Sequence, residues 1–257
     1  MAPTDPITHR ASAAIQNGAI LFFICSIVTF AADPPPNLLK LLLERETETS
    51  AVRGNYAYQQ KVRIEELDPN GRKRGEYRES REVIFTPAGE RVERMTGKPY
   101  HGLDRLRLTE EDFRDIRDVQ PFLFTRDQLF LYQTKFKGEE SIDGIACWVM
   151  QIEPRQILEG QRLFEGYIWV TQTDYSVIQM EGRAVPQMLG KNENLFPRFR
   201  TTRKQVDGKH WFPYRTIGDE TLHFRSGDIR QRMEIEYSAY KRFAAESTIQ
   251  FQKDPPK

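Results

Sequence analysis

Cysteine is scarce in this chain of 257 residues, which contains only Cys25 and Cys147. Cys25 lies in an N-terminal segment that we expect to be removed, so Cys147 would be the only cysteine left and no internal disulfide could form. Cys147 belongs to the apolar segment 145–150, where we expect a buried and inert thiol rather than a reactive one. A domain of this size can be held together by its core without disulfides.

Histidine is scarce as well, and outside the N-terminal segment it occurs at His101, His210 and His223. These three lie in separate segments, with no second ligand at the spacing of a zinc site. The sequence also lacks a Gly-x-Ser-x-Gly elbow, a P-loop, a dinucleotide-binding glycine motif and a His-Glu-x-x-His motif. We therefore predict a protein that is not an enzyme and that has no metal site and no cofactor.

Neither sign of charge is in excess, because 38 Lys and Arg face 37 Asp and Glu and give a net charge of +1. This balance argues against a nucleic-acid partner. We interpret the basic stretches 72–74 and 198–204 as exposed strand faces that keep sheet edges from pairing with other chains. The acidic clusters at 65–66, 110–112 and 139–140 fall at strand ends, turns or a helix start, where we expect solvated charge.

The N-terminal apolar run is short, since it spans only the 14 residues 19–32, none of which is charged. A membrane-spanning helix needs about 20 apolar residues, whereas the core of a signal peptide needs roughly 7 to 15. Residues 29–31 offer small side chains at the spaced positions that a signal peptidase reads. We predict that 1–31 is a signal peptide cleaved near Ala31 and that the protein is periplasmic. The alternatives are an uncleaved membrane anchor and a lipoprotein acylated at Cys25.

Residues beyond the predicted signal peptide divide into a proline-rich spacer at 32–36, one domain at 37–245 and a C-terminal tail at 246–257. The domain begins with a leucine-rich helix over 37–49, for which Asn37 is a plausible N-cap. A second helix is predicted to begin at Thr109, whose hydroxyl can cap the first turn.

Most of the domain alternates apolar and polar residues with a period of two. Turn residues, such as Asp143-Gly144 and Asp207-Gly208, separate nearly all of these stretches. The predicted strands are 55–66, 72–85, 90–95, 128–136, 146–153, 163–171, 175–183, 198–206, 211–217 and 229–240. A parallel sheet would show continuous apolar runs instead. We predict a mainly β fold with two or more helices, in which a curved antiparallel sheet forms an incomplete β-barrel covered by the helices.

A curved sheet beneath a helix can enclose a cavity, and large apolar side chains are plentiful in the predicted strands. We predict that such a cavity binds a hydrophobic ligand. The candidate lining residues are Trp148, Met150, Ile152, Tyr167, Trp169, Ile178, Met180, Met233 and Ile235.

Three segments, 138–154, 166–170 and 206–213, resemble the periplasmic carriers that sort lipoproteins to the outer membrane, and resemble more closely their uncharacterised exported relatives. In this chain, as in those proteins, a glycine, an Asp-Gly turn, a strand and a proline come first. A further strand, a turn and another strand of the same sheet follow. The resemblance covers about residues 37 to 240 and implies a half-barrel whose mouth is closed by helices and whose cavity shields acyl chains. An insert around 98–124 departs from the carriers.

We therefore predict an exported, non-enzymatic carrier or sensor that binds lipid or lipoprotein acyl chains, with outer-membrane lipoprotein sorting, transport or chaperoning as the implied role. Its expected partners are a hydrophobic ligand or lipoprotein and a membrane-associated protein, without nucleic acid. The alternative is a periplasmic scaffold or protein-interaction module with a filled core. An open apolar cavity would favour the carrier, whereas a close-packed interior would favour the module.

Overall fold

A computed structural model describes residues 33–86, 88–186 and 197–243. The predicted signal peptide, its cleavage near Ala31, the two alternatives to cleavage and the tail at 246–257 lie outside the described residues. Within the described residues, no helix is both long enough and apolar enough to cross a membrane.

The described chain is mostly β, with an antiparallel sheet that remains open as a curved half-barrel. The helical elements are α1 (Leu38–Arg53), α2 (Glu110–Arg114), a π-helical turn (Asp115–Val119) and a 3₁₀ segment (Arg126–Leu131). The strands are β1 (Tyr56–Leu67), β2 (Lys73–Phe85), β3 (Arg91–Met95), β4 (Tyr100–Gly102), β5 (Tyr132–Ile142), β6 (Ile145–Pro154), β7 (Leu163–Thr171), β8 (Val177–Val185), β9 (Phe199–Val206), β10 (His210–Leu222) and β11 (Ile229–Arg242). The predicted fold class is confirmed.

Neighbouring strands in the sheet follow the order β3-β2-β1-β11-β10-β9-β8-β7-β6-β5, and β4 adds to β2. Every pairing is antiparallel, and most neighbours are joined by short turns. The pairing of β1 with β11, in which Tyr56 lies opposite Arg242, joins strands from the two ends of the domain. The two ends of the order, β3 and β5, are the sheet edges among the described residues.

Two hairpin turns show why the register is well defined. At Asp143-Gly144 φ is 50° and 83°, and at Asp207-Gly208 it is 60° and 72°. Two consecutive positive φ values are typical of the type I′ turn, whose twist matches that of paired strands and which favours Asp-Gly. Both turns were predicted from the sequence, and they set the pairings of β5 with β6 and of β9 with β10.

Helix α1 packs on the concave face of the sheet with Leu38, Leu42 and Leu43 buried. It runs to Arg53, one turn beyond the predicted end, and the side chain of Asn37 makes no capping hydrogen bond. Because no side chain caps the first turn, the helix is stabilised mainly by its packing against the sheet.

Residues 103–131, here called the inner segment, form the second layer on the concave face. Thr109 caps α2 as predicted, with a capping box shared with Asp112. Beyond α2, Ile116, Phe122 and Phe124 are buried in the same core cluster as the leucines of α1. The insert that departs from the resembling carriers thus supplies much of the interior of the half-barrel.

One predicted strand is partly wrong. Residues 128–131 belong to the 3₁₀ segment, and β5 begins only at Tyr132 but extends to Ile142. The N–H of Thr125 donates to the Gln128 side chain, and the N–H of Gln128 donates to the Thr125 carbonyl oxygen, 3.1 Å away. These local bonds favour a helical turn over an extended chain. The three-residue β4 was not predicted.

Candidate functional site

The nine predicted cavity residues lie on both faces of the sheet. Six belong to the core of the concave face, namely Trp148, Met150, Ile152, Met180, Met233 and Ile235. Trp169 and Ile178 belong to a smaller cluster on the convex face, against which Tyr167 packs. Contact of any of these residues with a ligand remains a prediction.

Strand geometry explains this division. Tyr167 and Trp169 alternate with Ile168, which is in the concave core, so they point to the opposite face. Ile178 is the extra residue at a bulge where Trp169 pairs with Gln179 and Val170 pairs with Val177. A bulge changes the phase of alternation, and the sequence alone does not reveal it.

The concave core is covered by the protein's own side chains. Met180, Met233 and Ile235 have no exposed surface, and they share one cluster with residues of α1 and the inner segment. The rings of Phe122 and Phe164 stack with centroids 5.4 Å apart, and Phe122 packs on Tyr132 at 5.6 Å. In this conformation a ligand at the concave face would have to displace α1 or the inner segment.

We call α1 and the inner segment together the cover. A buried ion pair joins the cover to the sheet. The Nη1 of Arg203 on β9 lies 2.8 Å from Oε1 of Glu46 on α1, and each side chain is only 1% exposed. Arg203 also donates through Nη2 to the carbonyl oxygen of Phe122, 2.7 Å away. The backbone N–H of Phe124 donates to the other oxygen of Glu46. Two side chains therefore connect α1, the inner segment and the sheet.

Three further polar side chains lie at the same boundary. The hydroxyl of Thr201 donates to the carbonyl oxygen of Gln120 at 2.8 Å, and the amide of Gln60 donates to the carbonyl oxygen of Ile116 at 3.5 Å. The amide of Gln120 reaches only the sulfur of Met233, and its Oε1 has no hydrogen-bond partner among the described residues. We call Glu46, Gln60, Gln120, Thr201 and Arg203 the buried polar cluster.

The start of the inner segment is held by a carboxylate. Glu66 at the end of β1 is 3% exposed, and its Oε2 accepts from the backbone N–H groups of Asp104, Arg105 and Leu106 at 3.1, 2.9 and 3.1 Å. The expectation that the acidic pair 65–66 is solvated is therefore wrong. Charge-assisted bonds to three consecutive N–H groups compensate for burying the carboxylate.

A second acidic pair lies at α2 and the π-helical turn. Asp115 is buried and forms an ion pair with Arg162. Asp112 is also buried, and this desolvation raises the pKa of its carboxyl group to about 7. The predicted solvation of residues 110–112 is thus wrong for Asp112.

Sequence reasoning missed the buried polar cluster, although a signal was present. Glu46 is in phase with Leu38 and Leu42 on one face of α1, and Arg203 is in phase with Phe199 on β9. A charged residue at an apolar position of the pattern signals a buried partner of opposite charge. The interpretation of Arg203 as part of an exposed edge is wrong, because β9 lies within the sheet and the side chain is buried.

The convex face carries grooves lined by charged residues. One, of about 420 Å³, lies over β8–β11, where Arg200 pairs with Glu181 and Arg215 pairs with Glu234. Cys147 lies in the small apolar cluster of this face and is buried, as predicted, and desolvation raises the pKa of its thiol to about 11. These grooves differ in chemistry from the apolar concave face.

No family model and no curated protein matches the chain. Solved structures do match. A DUF1329 family protein from Desulfovibrio piger has a TM-score of 0.45 and 14% identity, covering 84% of this chain and 96% of its own. A LolA superfamily protein from Nitrosomonas europaea has a TM-score of 0.35 and 16% identity, with coverage of 79% and 94%.

A structure described as an outer membrane lipoprotein-sorting protein domain, from Vibrio parahaemolyticus, has a TM-score of 0.39 and 11% identity, with coverage of 82% and 95%. At such identities these three structures are structural neighbours of this chain and no more.

Proposed function

We propose that this protein is an exported, non-enzymatic carrier or sensor that binds lipid or lipoprotein acyl chains against the concave face of its sheet. Binding requires α1 and the inner segment to move away from that face. The surface thereby uncovered is apolar, with Met180, Met233 and Ile235 near its centre. Lipoprotein sorting to the outer membrane is the specific form of this function that the sequence resemblance implies.

The observation that carries the proposal is that the buried polar cluster holds the cover on the sheet. Buried ion pairs contribute little net stability, because desolvation offsets much of their attraction. Water can replace the partners of Glu46 and Arg203 when the cover opens, so separating this contact costs less than separating apolar surface of the same area. A cover fastened in this way is suited to reversible opening.

Binding of the ligand would supply the remaining free energy that is needed to open the cover. Burying apolar chain contributes about 0.8 kcal/mol per methylene, so an acyl chain of about sixteen carbons offers on the order of 10 kcal/mol. This is enough to replace several side-chain contacts between the cover and the sheet.

The test combines lipid extraction with uptake of a fluorescent fatty acid. Protein expressed from the complete sequence is extracted and its bound lipids are identified by mass spectrometry. Uptake is then compared for the unaltered protein, Glu46→Gln/Arg203→Met and the matched control Glu181→Gln/Arg200→Met, whose ion pair lies on the convex face. We expect bound lipid, slower uptake in the first variant, because an apolar contact then replaces the ion pair at the cover, and an unchanged rate in the control. Absence of both lipid and uptake from all three proteins would contradict the proposal.

A second candidate function is a periplasmic scaffold or protein-interaction module, and the filled concave core favours it. In that case the cover is a permanent part of the core, and a partner protein binds the charged convex face. Neither variant would then take up fatty acid, whereas Glu181→Gln/Arg200→Met would weaken binding of the partner.

A further inference from the structure

Within the described part of the chain, one side of the β5 backbone has no partner strand. Strand β5 runs for 11 residues and pairs only with β6 among the described residues. A free edge of this length is open to pairing with another strand, and natural proteins usually block such an edge. The side chains along β5 indicate which strand fits there.

Charge is segregated along β5. Lys135 and Lys137 lie in its first half, whereas Glu139 and Glu140 lie in its second half. None of the four takes part in an ion pair among the described residues, although ion pairs are common elsewhere on the sheet, such as Arg230 with Asp219. The edge therefore carries two positive and two negative side chains that form no ion pair within the described part of the chain.

The acidic half is incompletely satisfied. Glu140 accepts a hydrogen bond from the indole of Trp169 at 2.7 Å, and Oε2 of Glu139 accepts from Gln172 at 3.0 Å. Oε1 of Glu139 is buried and has no hydrogen-bond partner among the described residues. An added donor at this edge would satisfy it.

We propose that a second copy of this chain pairs antiparallel with β5, edge to edge, about a twofold axis near Lys137-Gly138. Reversing the strand places Lys135 and Lys137 of each copy beside Glu139 and Glu140 of the other. A twofold interface repeats every such contact, so the match is self-complementary. Opposite charges on facing strands stabilise pairing, whereas like charges oppose it. The pairing continues the sheet from one copy into the next.

The proposed axis coincides with the irregularity of β5. The register shifts between Phe136 and Gly138, where φ of the glycine is 132°. Hydrogen bonds between the copies therefore form on the two flanks of the bulge. On each flank, residues before Lys137 of one copy face residues after Gly138 of the other. The basic and acidic halves are these two flanks. The pairing uses neither the concave face nor the buried polar cluster, so it is independent of the proposed ligand.

The experiment measures oligomeric state by sedimentation equilibrium on protein expressed from the complete sequence. We expect a dimer whose dissociation constant rises with salt, because the contacts are exposed ion pairs. Lys135→Glu/Lys137→Glu makes the whole edge acidic, and Glu139→Lys/Glu140→Lys makes it basic. Each variant alone should dissociate at least about tenfold more readily, and an equimolar mixture of the two should associate again. The control Lys40→Glu/Lys241→Glu changes the charge equally, away from β5.

Cross-linking of the unaltered protein keeps the proposal testable if a swapped variant fails to fold. A carbodiimide joins Lys to Glu without a spacer, and a mixture of ¹⁴N and ¹⁵N protein distinguishes links between copies from links within one. Links between copies that join residues 135 or 137 to 139 or 140 support the pairing. A monomer at all accessible concentrations, or a dimer that lacks these links and is unaffected by the swaps, would overturn it.

Discussion

Gly166 on β7 lies directly opposite Gly182 on β8, and the ring of Phe164 closely approaches both glycines. A β-carbon added to Gly182 would lie 2.1 Å from the carbonyl oxygen of Glu165 and 2.7 Å from the Phe164 ring. Backbone atoms cannot yield at such a distance, so the two strands would have to separate.

We expect Gly182→Ala to lower the free energy of unfolding by at least about 1–3 kcal/mol, the usual cost of overpacking a core. Urea unfolding measures the change. Gly97→Ala is the matched control, because nothing lies within 4 Å of a β-carbon at that position. Equal stability of the two variants would show that the strands have room at the glycine pair.

Removing only one member of the buried ion pair should be costly. Arg203→Met leaves Glu46 buried without its partner, and we expect a loss of about 3–5 kcal/mol in the free energy of unfolding. Glu46→Gln/Arg203→Met removes both charges and should lose less than the single variant. Denaturant titration measures both variants, with the exposed Arg200→Met as the control for losing an arginine from β9. A double variant less stable than Arg203→Met would contradict this account.

Glu66 should control the attachment of the inner segment. Glu66→Gln replaces a charged acceptor of three backbone N–H groups with a neutral amide, and we expect a loss of about 1–3 kcal/mol in stability. Hydrogen exchange should show faster exchange at Asp104, Arg105 and Leu106. Glu236→Gln, at an exposed position on β11, is the control. Unchanged exchange at the three amides would mean that other contacts hold this segment.

Asp112 should make stability depend on pH. Burial raises its pKa from 3.8 to about 7, so between these values the folded protein holds a proton that the unfolded chain releases. This contribution to stability is complete below about pH 4 and is lost as the pH rises through 7, at about 1.4 kcal/mol for each pH unit in between. Asp112→Asn keeps an acceptor for the N–H of Thr109 but does not titrate.

The measurement is the difference in free energy of unfolding between Asp112→Asn and the unaltered protein at pH 4, 5.5 and 7.5. We expect the variant to gain in relative stability at each step upward. A constant difference across this range would show that Asp112 remains charged in the folded state.

Local sequence signals predicted most of the sheet. The Asp-Gly turns and the period of two placed the hairpins, and Thr109 marked the start of α2, because these features depend on residues that are near one another in the chain. The pairing of β1 with β11 and the burial of the inner segment depend on contacts across many residues. No local pattern encodes such contacts.

The candidate site was predicted less completely for the same reason. Alternation correctly grouped Met150 and Ile152 but not Ile178, whose face is changed by the bulge in β8. The partner that allows Arg203 to be buried is Glu46, which lies on a helix more than 150 residues away in sequence. A charged residue in phase with apolar neighbours is the sign to look for in related sequences.

The pairing of β1 with β11 also has a consequence for the order in which the chain becomes able to fold. The strand of Tyr56 gains its second neighbour only when residues near Arg242 are available, so the continuous sheet cannot form while the C-terminal part is still being synthesised. Until then β1–β3 can form only a small meander. This strand order therefore delays completion of the sheet until β11 has been made.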